Sequence, residues 1–121
     1  DAPHLQNGGT KIMIISINTH IHKEFDKIQE DWNKYLESLC GKYIKVTKPF
    51  QIDYAYIERK TWEDSEVRCH FLFTTHISGR LECAKDCTYY IGLPDITSLE
   101  EISKNEFEKA LFNSIVEVKT W

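Results

Sequence analysis

Residues 22–39 read HKEFDKIQEDWNKYLESL, and they carry the clearest pattern in the chain. The apolar positions recur at spacings of three and four, which places them on one stripe of a helix with charged and amide side chains opposite. These apolar positions are Phe25, Ile28, Trp32, Tyr35, Leu36 and Leu39. Gly41 follows at the position where a left-handed residue commonly ends a helix. The stretch predicts a long amphipathic helix that packs on another layer.

The segments around this helix have patterns typical of strands. Residues 11–17 are apolar on both faces, which predicts a strand in the middle of a sheet. Residues 51–59 and 66–75 alternate between apolar and polar side chains, and the polar turn between them predicts one long antiparallel hairpin. Residues 43–48 form a shorter run that ends at Pro49, so we expect an edge strand or a bulged one there.

The C-terminal third contains two capping-box patterns. Ser98 is followed three residues later by Glu101, and Ser103 is followed in the same way by Glu106. A serine that caps the first turn, paired with a glutamate three residues on, is typical of a helix start. We therefore expect a helix over residues 98–112, preceded by a short strand near residues 88–93. Residues 114–121 alternate and predict a closing strand.

The order of these elements predicts an α+β fold. An antiparallel sheet would carry the long helix and the C-terminal helix on one face. Strand, helix, two strands, helix and strand is the order of a ferredoxin-like or SEA-like plait. The alternative is a cystatin-like arrangement with one long helix and an antiparallel meander. The Gln-x-Val-x-Gly hairpin of inhibitory cystatins does not occur, because the corresponding turn is residues 60–64.

Length and charge limit the classes of function. The chain has 121 residues, 41% of them hydrophobic, and a formal net charge of −4. We expect residues 1–10 to form a flexible N-terminal segment and residues 11–121 to form a single α+β domain. The acidic balance disfavours nucleic-acid binding, which needs clustered basic residues. No apolar run approaches the roughly 20 residues of a membrane span. No sequence motif indicates a cofactor or a metal site.

The four cysteines favour a secreted or extracellular protein. An even number of cysteines in a short chain fits two disulfides, and three pairings are possible. We favour Cys83–Cys87, because the segment between them is polar and could turn back on itself, and then Cys40–Cys69.

The histidines suggest an enzymatic alternative. His20 and His22 precede the predicted helix, while His70 and His76 lie on the second hairpin run. Two histidines near a carboxylate can act as an acid–base pair in hydrolysis. Cys69 and His70 cannot form a dyad, because adjacent strand residues point to opposite faces. Surface histidines are the simpler interpretation, and we predict no catalytic residues.

The predicted hairpin tip suggests a binding surface. Trp62 stands beside Glu63 and Asp64 at this tip, and tryptophan is enriched among the residues that dominate binding interfaces. The alternative is that Trp62 folds back onto the sheet. Arg80 lies in a second polar segment, residues 78–92. The leading hypothesis is a non-enzymatic extracellular domain that binds a protein partner through these residues. The alternatives are a cystatin-like protease inhibitor and a small histidine-dependent hydrolase or nuclease.

Overall fold

A computed structural model describes the backbone of residues 10–119 and the side chains of residues 24–116. The elements, in chain order, are α1 (Thr10–Ser38), β1 (Tyr43–Lys48), β2 (Gln51–Lys60), β3 (Glu66–His76), β4 (Leu81–Tyr90), β5 (Ser98–Ile102) and α2 (Lys104–Lys119). A short 3-10 turn at Leu93–Asp95 connects β4 to β5. Within these residues, neither helix combines the length and the apolar content that crossing a membrane requires.

The strands form an antiparallel sheet in the order β4-β3-β2-β1-β5. The α+β class is therefore confirmed, and so is the predicted hairpin, since β2 pairs with β3. The prediction that residues 43–48 form an edge strand is wrong. β1 pairs with β2 on one side and with β5 on the other, where Tyr43 lies opposite Ile102. The edges of the described sheet are β4 and β5.

The N-terminal part of α1 replaces a predicted strand. Residues 11–17 lie inside this helix, so the strand prediction is wrong, and the helix extends well before the amphipathic stretch of residues 22–39. A short apolar run is compatible with either a helix or a strand, and no turn separates this one from the amphipathic stretch. The ferredoxin-like plait, which needs that strand, is not confirmed. A helix followed by the β1–β4 meander matches the element order of the cystatin-like alternative.

The C-terminal helix starts later and runs further than predicted. Residues 98–102 form β5 because they pair with the open side of β1. The second capping pattern is the one in use, since the Glu106 N–H donates to Ser103 Oγ at 3.0 Å. α2 then continues to Lys119, so the closing strand predicted over residues 114–121 is wrong as far as residue 119. Residues 120 and 121 lie outside the described part.

The chain divides between Trp32 and Asn33 into two compact units. The first contains α1 up to Trp32, where Lys27 and Asp31 form an ion pair of 3.8 Å. Its apolar side chains Phe25 and Ile28 are exposed. The second unit contains the last turns of α1, the sheet and α2.

The last turns of α1 are tied to the sheet. Leu36 and Leu39, from the predicted apolar stripe, are buried. Gly41 has a φ of +80°, as its predicted left-handed cap position requires, and its N–H donates to the Ile57 carbonyl at 2.7 Å. The Ile57 N–H donates in turn to the Lys42 carbonyl at 3.0 Å, so the chain leaves α1 with its polar backbone groups paired.

The two faces of the sheet carry different cores. Phe107 of α2 packs on one face against Tyr43, Phe71 and Phe73, with ring centroids 4.9, 6.0 and 5.2 Å away. The opposite face buries smaller side chains: Ile44, Val46, Ala55, Ile57, Val67 and Cys69. The sheet therefore buries side chains on both faces, whereas the sequence analysis predicted that only one face would be covered.

A break in the β2–β3 register changes which face the side chains occupy. Tyr56 lies opposite Phe71, but Ile57 lies opposite Cys69, so His70 is an extra residue on β3. Cys69 and Phe71 therefore point to opposite faces, although they are two positions apart, a spacing that puts side chains on one face of a regular strand. The alternating pattern of residues 66–75 assumed a regular strand and put both on the same face.

Candidate functional site

Trp62 stands at the tip of the β2–β3 hairpin with 88% of its surface exposed. Glu63 and Asp64 beside it are also exposed. The tip consists of residues 61–65, between the end of β2 and the start of β3. Trp62 does not fold back onto the sheet, so the structure places these three predicted site residues together on a displayed loop.

Side-chain hydrogen bonds fix the backbone of this tip. Lys60 Nζ donates to the carbonyls of Thr61 and Glu63 at 2.8 and 2.5 Å. Thr61 Oγ1 donates to Glu66 Oε1 at 2.8 Å and accepts from the Glu63 N–H at 3.2 Å. A loop that is already held in one conformation loses less entropy when it binds a partner.

Asn33, near the end of α1, ties the same loop to the helix. Its Oδ1 accepts from the Ser65 N–H at 2.8 Å, and its Nδ2 donates to Asp64 Oδ1 at 3.0 Å. Ser65 is buried and has a φ of +60°, and its carbonyl accepts from the Ile91 N–H at 2.7 Å. The end of α1 and the segment after β4 therefore both hold the base of the tip.

Arg80, the fourth predicted site residue, lies elsewhere. It occupies the turn between β3 and β4, at the end of β3 opposite to the Trp62 tip. Its Nη2 lies 3.7 Å from Glu82 Oε2 and 3.3 Å from His76 Nε2. Most of the predicted polar segment 78–92 belongs to strand β4 rather than to a loop. The structure therefore does not combine Arg80 with Trp62 in one surface.

A second exposed apolar group lies near Arg80. Phe50, in the β1–β2 turn, is 73% exposed, and Ile77, in the β3–β4 turn, is 79% exposed. The two residues are linked, since the Ile77 N–H donates to the Phe50 carbonyl at 3.0 Å. They border a shallow depression of about 250 Å³.

An aromatic groove of about 270 Å³ lies between α2 and the sheet. Its lining consists of Tyr43, Tyr56, His70, Phe71, Phe107, Glu108 and Leu111. The His70 ring meets the Tyr56 ring edge-on, with centroids 6.5 Å apart. The sequence pattern did not reveal this groove, because its residues come from four separate elements.

The structure separates the histidines that the hydrolase alternative would combine. His70 Nδ1 lies 2.9 Å from Asp86 Oδ1, and His76 Nε2 lies 3.0 Å from Glu82 Oε1. Six positions separate the two histidines along β3, which is roughly 20 Å in an extended strand. The side chains of His20 and His22 lie outside the described ones.

A buried carboxylate, which the sequence analysis did not single out, lies on the face of the sheet opposite α2. Asp53 is 1% exposed and sits at the centre of four hydrogen bonds. Its Oδ1 accepts from Thr74 Oγ1 at 2.6 Å and from Gln51 Nε2 at 2.9 Å. Its Oδ2 accepts from the Tyr89 hydroxyl and forms a 3.0 Å ion pair with Lys48 Nζ.

The titration behaviour of this group follows from these bonds. Burial alone would raise the pKa of Asp53, but hydrogen bonds from Thr74, Tyr89, Lys48 and Gln51 outweigh it and hold the pKa below its ordinary value. Burial, together with the bond to Asp53, raises the pKa of Tyr89 far above its ordinary value. The carboxylate is fully partnered, so we assign the network to stability rather than to chemistry.

The disulfide predictions are wrong. All four cysteines lie within the described residues, and each is a free thiol. Cys83 and Cys87 belong to one extended strand, β4, where four residues span roughly 13 Å, about twice the Cα separation that a disulfide allows. Cys40 follows the end of α1 and is partly exposed, whereas Cys69 is buried within β3. Burial is the main cause that raises the pKa of Cys69 to about 12, followed by the neighbouring Cys87.

No family assignment supports any of these sites. No protein-family model matches the chain, and no curated protein matches it in sequence. Of the sites above, the Trp62 tip combines exposure of a large aromatic surface with a fixed backbone.

Proposed function

We propose that this chain is a protein-interaction domain that binds its partner through the Trp62 tip, residues 61–65. The observation that carries the proposal is a tryptophan 88% exposed on a loop whose backbone is held by side chains. Tryptophan dominates many interfaces because it buries a large area with few rotatable bonds.

The chemistry of the tip suggests the kind of partner. Glu63 and Asp64 directly follow Trp62 in the chain, and Asp64 also accepts a hydrogen bond from Asn33. A complementary surface would offer an apolar pocket for Trp62, with lysine or arginine at its rim. Rim charges of this kind influence the rate and selectivity of association more than the final affinity.

An affinity comparison with matched variants tests the proposal. Wild-type chain, Trp62→Ala and Phe50→Ala are immobilised and exposed to an extract of the source organism. Proteins retained by wild type and Phe50→Ala but lost with Trp62→Ala are then purified and titrated individually. Truncation of a central interface tryptophan typically costs 2 kcal/mol or more, so we expect binding to weaken by about 30-fold or more.

The Phe50→Ala variant is a control for a general loss of exposed aromatic surface. Phe50 is 73% exposed but lies at the other end of the sheet. The melting temperature of Trp62→Ala should equal that of wild type, because the indole buries little of its surface. Capture that is identical for all three proteins contradicts the proposal. A large fall in melting temperature would instead mean that Trp62 supports the fold.

A second candidate function is inhibition of papain-like cysteine proteases. The observation in its favour is the element order, a long helix followed by an antiparallel meander. The Trp62 tip would act as the inserted element, although its sequence differs from that of inhibitory cystatins. Titration against papain decides this candidate, since absence of inhibition at micromolar protein removes it.

The cellular location stays a prediction. The extracellular assignment depended on two disulfides, and the four free thiols remove that support. Interaction through the Trp62 tip does not depend on the compartment.

A further inference from the structure

Two histidine–carboxylate pairs lie on β3 and β4, and their surroundings differ in one decisive respect. His76 and Glu82 have Arg80 beside them, with its Nη2 within 3.7 Å of both. A guanidinium at this distance neutralises the carboxylate and repels any other cation. Among the described residues, no arginine forms an ion pair with His70 or Asp86. The third member of their cluster is a second carboxylate, Glu58.

The atoms of this second cluster converge. One ligand atom from each of Glu58, His70 and Asp86 lies within 4.8 Å of the other two, and all three side chains are exposed. Bringing two carboxylates together beside an exposed imidazole is unfavourable by simple repulsion, and a cation among them removes that cost. Imidazole and carboxylate are together the ligands that zinc-class ions bind in proteins.

The convergence has a structural origin in three neighbouring strands. Glu58 on β2 and His70 on β3 are the residues left unpaired by the two register shifts between these strands. Asp86 on β4 stands opposite His70 and has a φ of +47°. In regular strands each side chain would follow the alternation of its own strand. Irregularities at one level turn all three side chains towards one point, as bulges beside functional sites commonly do.

One member of this cluster, His70, also borders a cavity. This cavity is the aromatic groove of about 270 Å³ between α2 and the sheet. Three protein ligands leave at least one coordination position of a zinc-class ion open, for water or for a donor atom of a bound molecule. An ion held by His70 would therefore lie at the margin of a groove that can hold an apolar group.

From this arrangement we infer that Glu58, His70 and Asp86 form a binding site for a divalent transition-metal ion of the zinc class. Mg²⁺ and Ca²⁺ are not expected to bind, because both prefer sites made of oxygen ligands alone. The site is separate from the Trp62 tip, so either proposal can fail while the other holds.

Calorimetric titration with Zn²⁺ tests the site in the full-length chain. His4, His20 and His22 are first replaced by glutamine, so that the remaining histidines are His70 and His76. This background variant should take up one Zn²⁺ per chain. Glu58→Gln, His70→Gln and Asp86→Asn, each added to it, should weaken binding by at least about tenfold, the effect usually seen when even an outer-shell partner is removed.

Two of the substitutions separate the loss of a metal ligand from a general change in structure. Asparagine tolerates the left-handed backbone of position 86, so Asp86→Asn preserves the strand geometry while it removes the charge. His76→Gln is the matched control. It removes the histidine that pairs with Glu82 beside Arg80, so it should leave the Zn²⁺ affinity unchanged. Circular dichroism confirms that each variant is folded.

The free thiols are the main competing ligands, and Co²⁺ distinguishes them. A cobalt complex of the background variant should show visible d–d bands without the near-ultraviolet thiolate-to-cobalt band. Absence of Zn²⁺ binding, equal binding of Mg²⁺, or Zn²⁺ binding that survives His70→Gln overturns the inference. A thiolate band that His70→Gln leaves unchanged also overturns it, because the ion would then sit on cysteines.

Discussion

Replacing Asp53 with asparagine tests whether the buried network on the sheet is essential to the fold. The two side chains have the same shape, so the substitution changes charge and hydrogen bonding but creates no cavity. Asp53 is 1% exposed and accepts four hydrogen bonds, two on each oxygen. Asparagine turns one of these oxygens into an amide nitrogen that donates. That nitrogen then faces either Gln51 and Thr74 or Lys48 and Tyr89.

The expected cost follows from these partners. The hydroxyl groups of Thr74 and Tyr89 can reverse and accept, but the amide of Gln51 and the ammonium of Lys48 keep their donors. Breaking a buried ion pair typically costs about 3–5 kcal/mol. The Lys48 side chain is 21% exposed and can recover part of its hydration, so the lower end applies. We expect a loss of about 3 kcal/mol, or a fall of roughly 12 °C in melting temperature.

Urea denaturation followed by circular dichroism measures this loss at pH 7. Asp95→Asn is the matched control, because Asp95 is exposed and the same chemical change there should cost less than about 0.5 kcal/mol. The reasoning is refuted if Asp53→Asn unfolds within about 1 kcal/mol of wild type. It is also refuted if both asparagine variants lose stability equally.

The pH dependence of stability provides a second test with the same variant. The pKa of Asp53 is lowered in the folded state, so the unfolded chain binds this proton more readily and stability falls as pH falls. The contribution is complete above the ordinary aspartate pKa of about 3.9 and is lost as the pH drops through the lowered value. The stability difference between wild type and Asp53→Asn should therefore be constant from about pH 5 to 7 and shrink below about pH 4. A difference that persists unchanged at about pH 2 would mean that the charge of Asp53 does not stabilise the fold.

Two further predictions concern the aromatic core and the thiols. Phe107→Ala should lower the free energy of unfolding by about 3–5 kcal/mol, because Phe107 is 5% exposed. Phe112→Ala, at a position 65% exposed on the same helix, should have little effect. Equal losses of the two variants in urea denaturation would contradict the packing described for α2. In the native protein near neutral pH, alkylation followed by mass spectrometry should label exposed Cys83 first and Cys69 last, since burial raises the pKa of Cys69 to about 12. The intact mass should not change on reduction, and a gain of hydrogens would show that disulfides form after all.

Short sequence patterns correctly predicted the elements whose local signal is compatible with only one structure. The β2–β3 hairpin, the left-handed Gly41 and the capping serine at 103 were all visible in short stretches of sequence. Residues 11–17 and 98–102 were assigned wrongly, because apolar runs and capping patterns are compatible with more than one element. Residues 98–102 became a strand only because β1 offered an open side.

The candidate sites divide in the same way. Trp62 was recognised from sequence, since an aromatic residue among charges at a hairpin tip is a local signal. The Asp53 network and the Glu58–His70–Asp86 cluster were not recognised. In the Asp53 network, Tyr89 is 36 residues from Asp53, and no sequence spacing links the members of either group. The favoured disulfides failed for the opposite reason, since proximity in sequence suggested a turn where β4 is extended.

The amino-acid sequence alone determined the α+β class and the main hairpin, because periodicity and turn residues act over a few neighbours. Only the tertiary structure decided which strands lie side by side, which carboxylate is buried and which side chains meet at the register breaks. Pairing between strands is set by competition among distant segments for the same edge. A single extra residue in a strand then redirects the side chains that follow it.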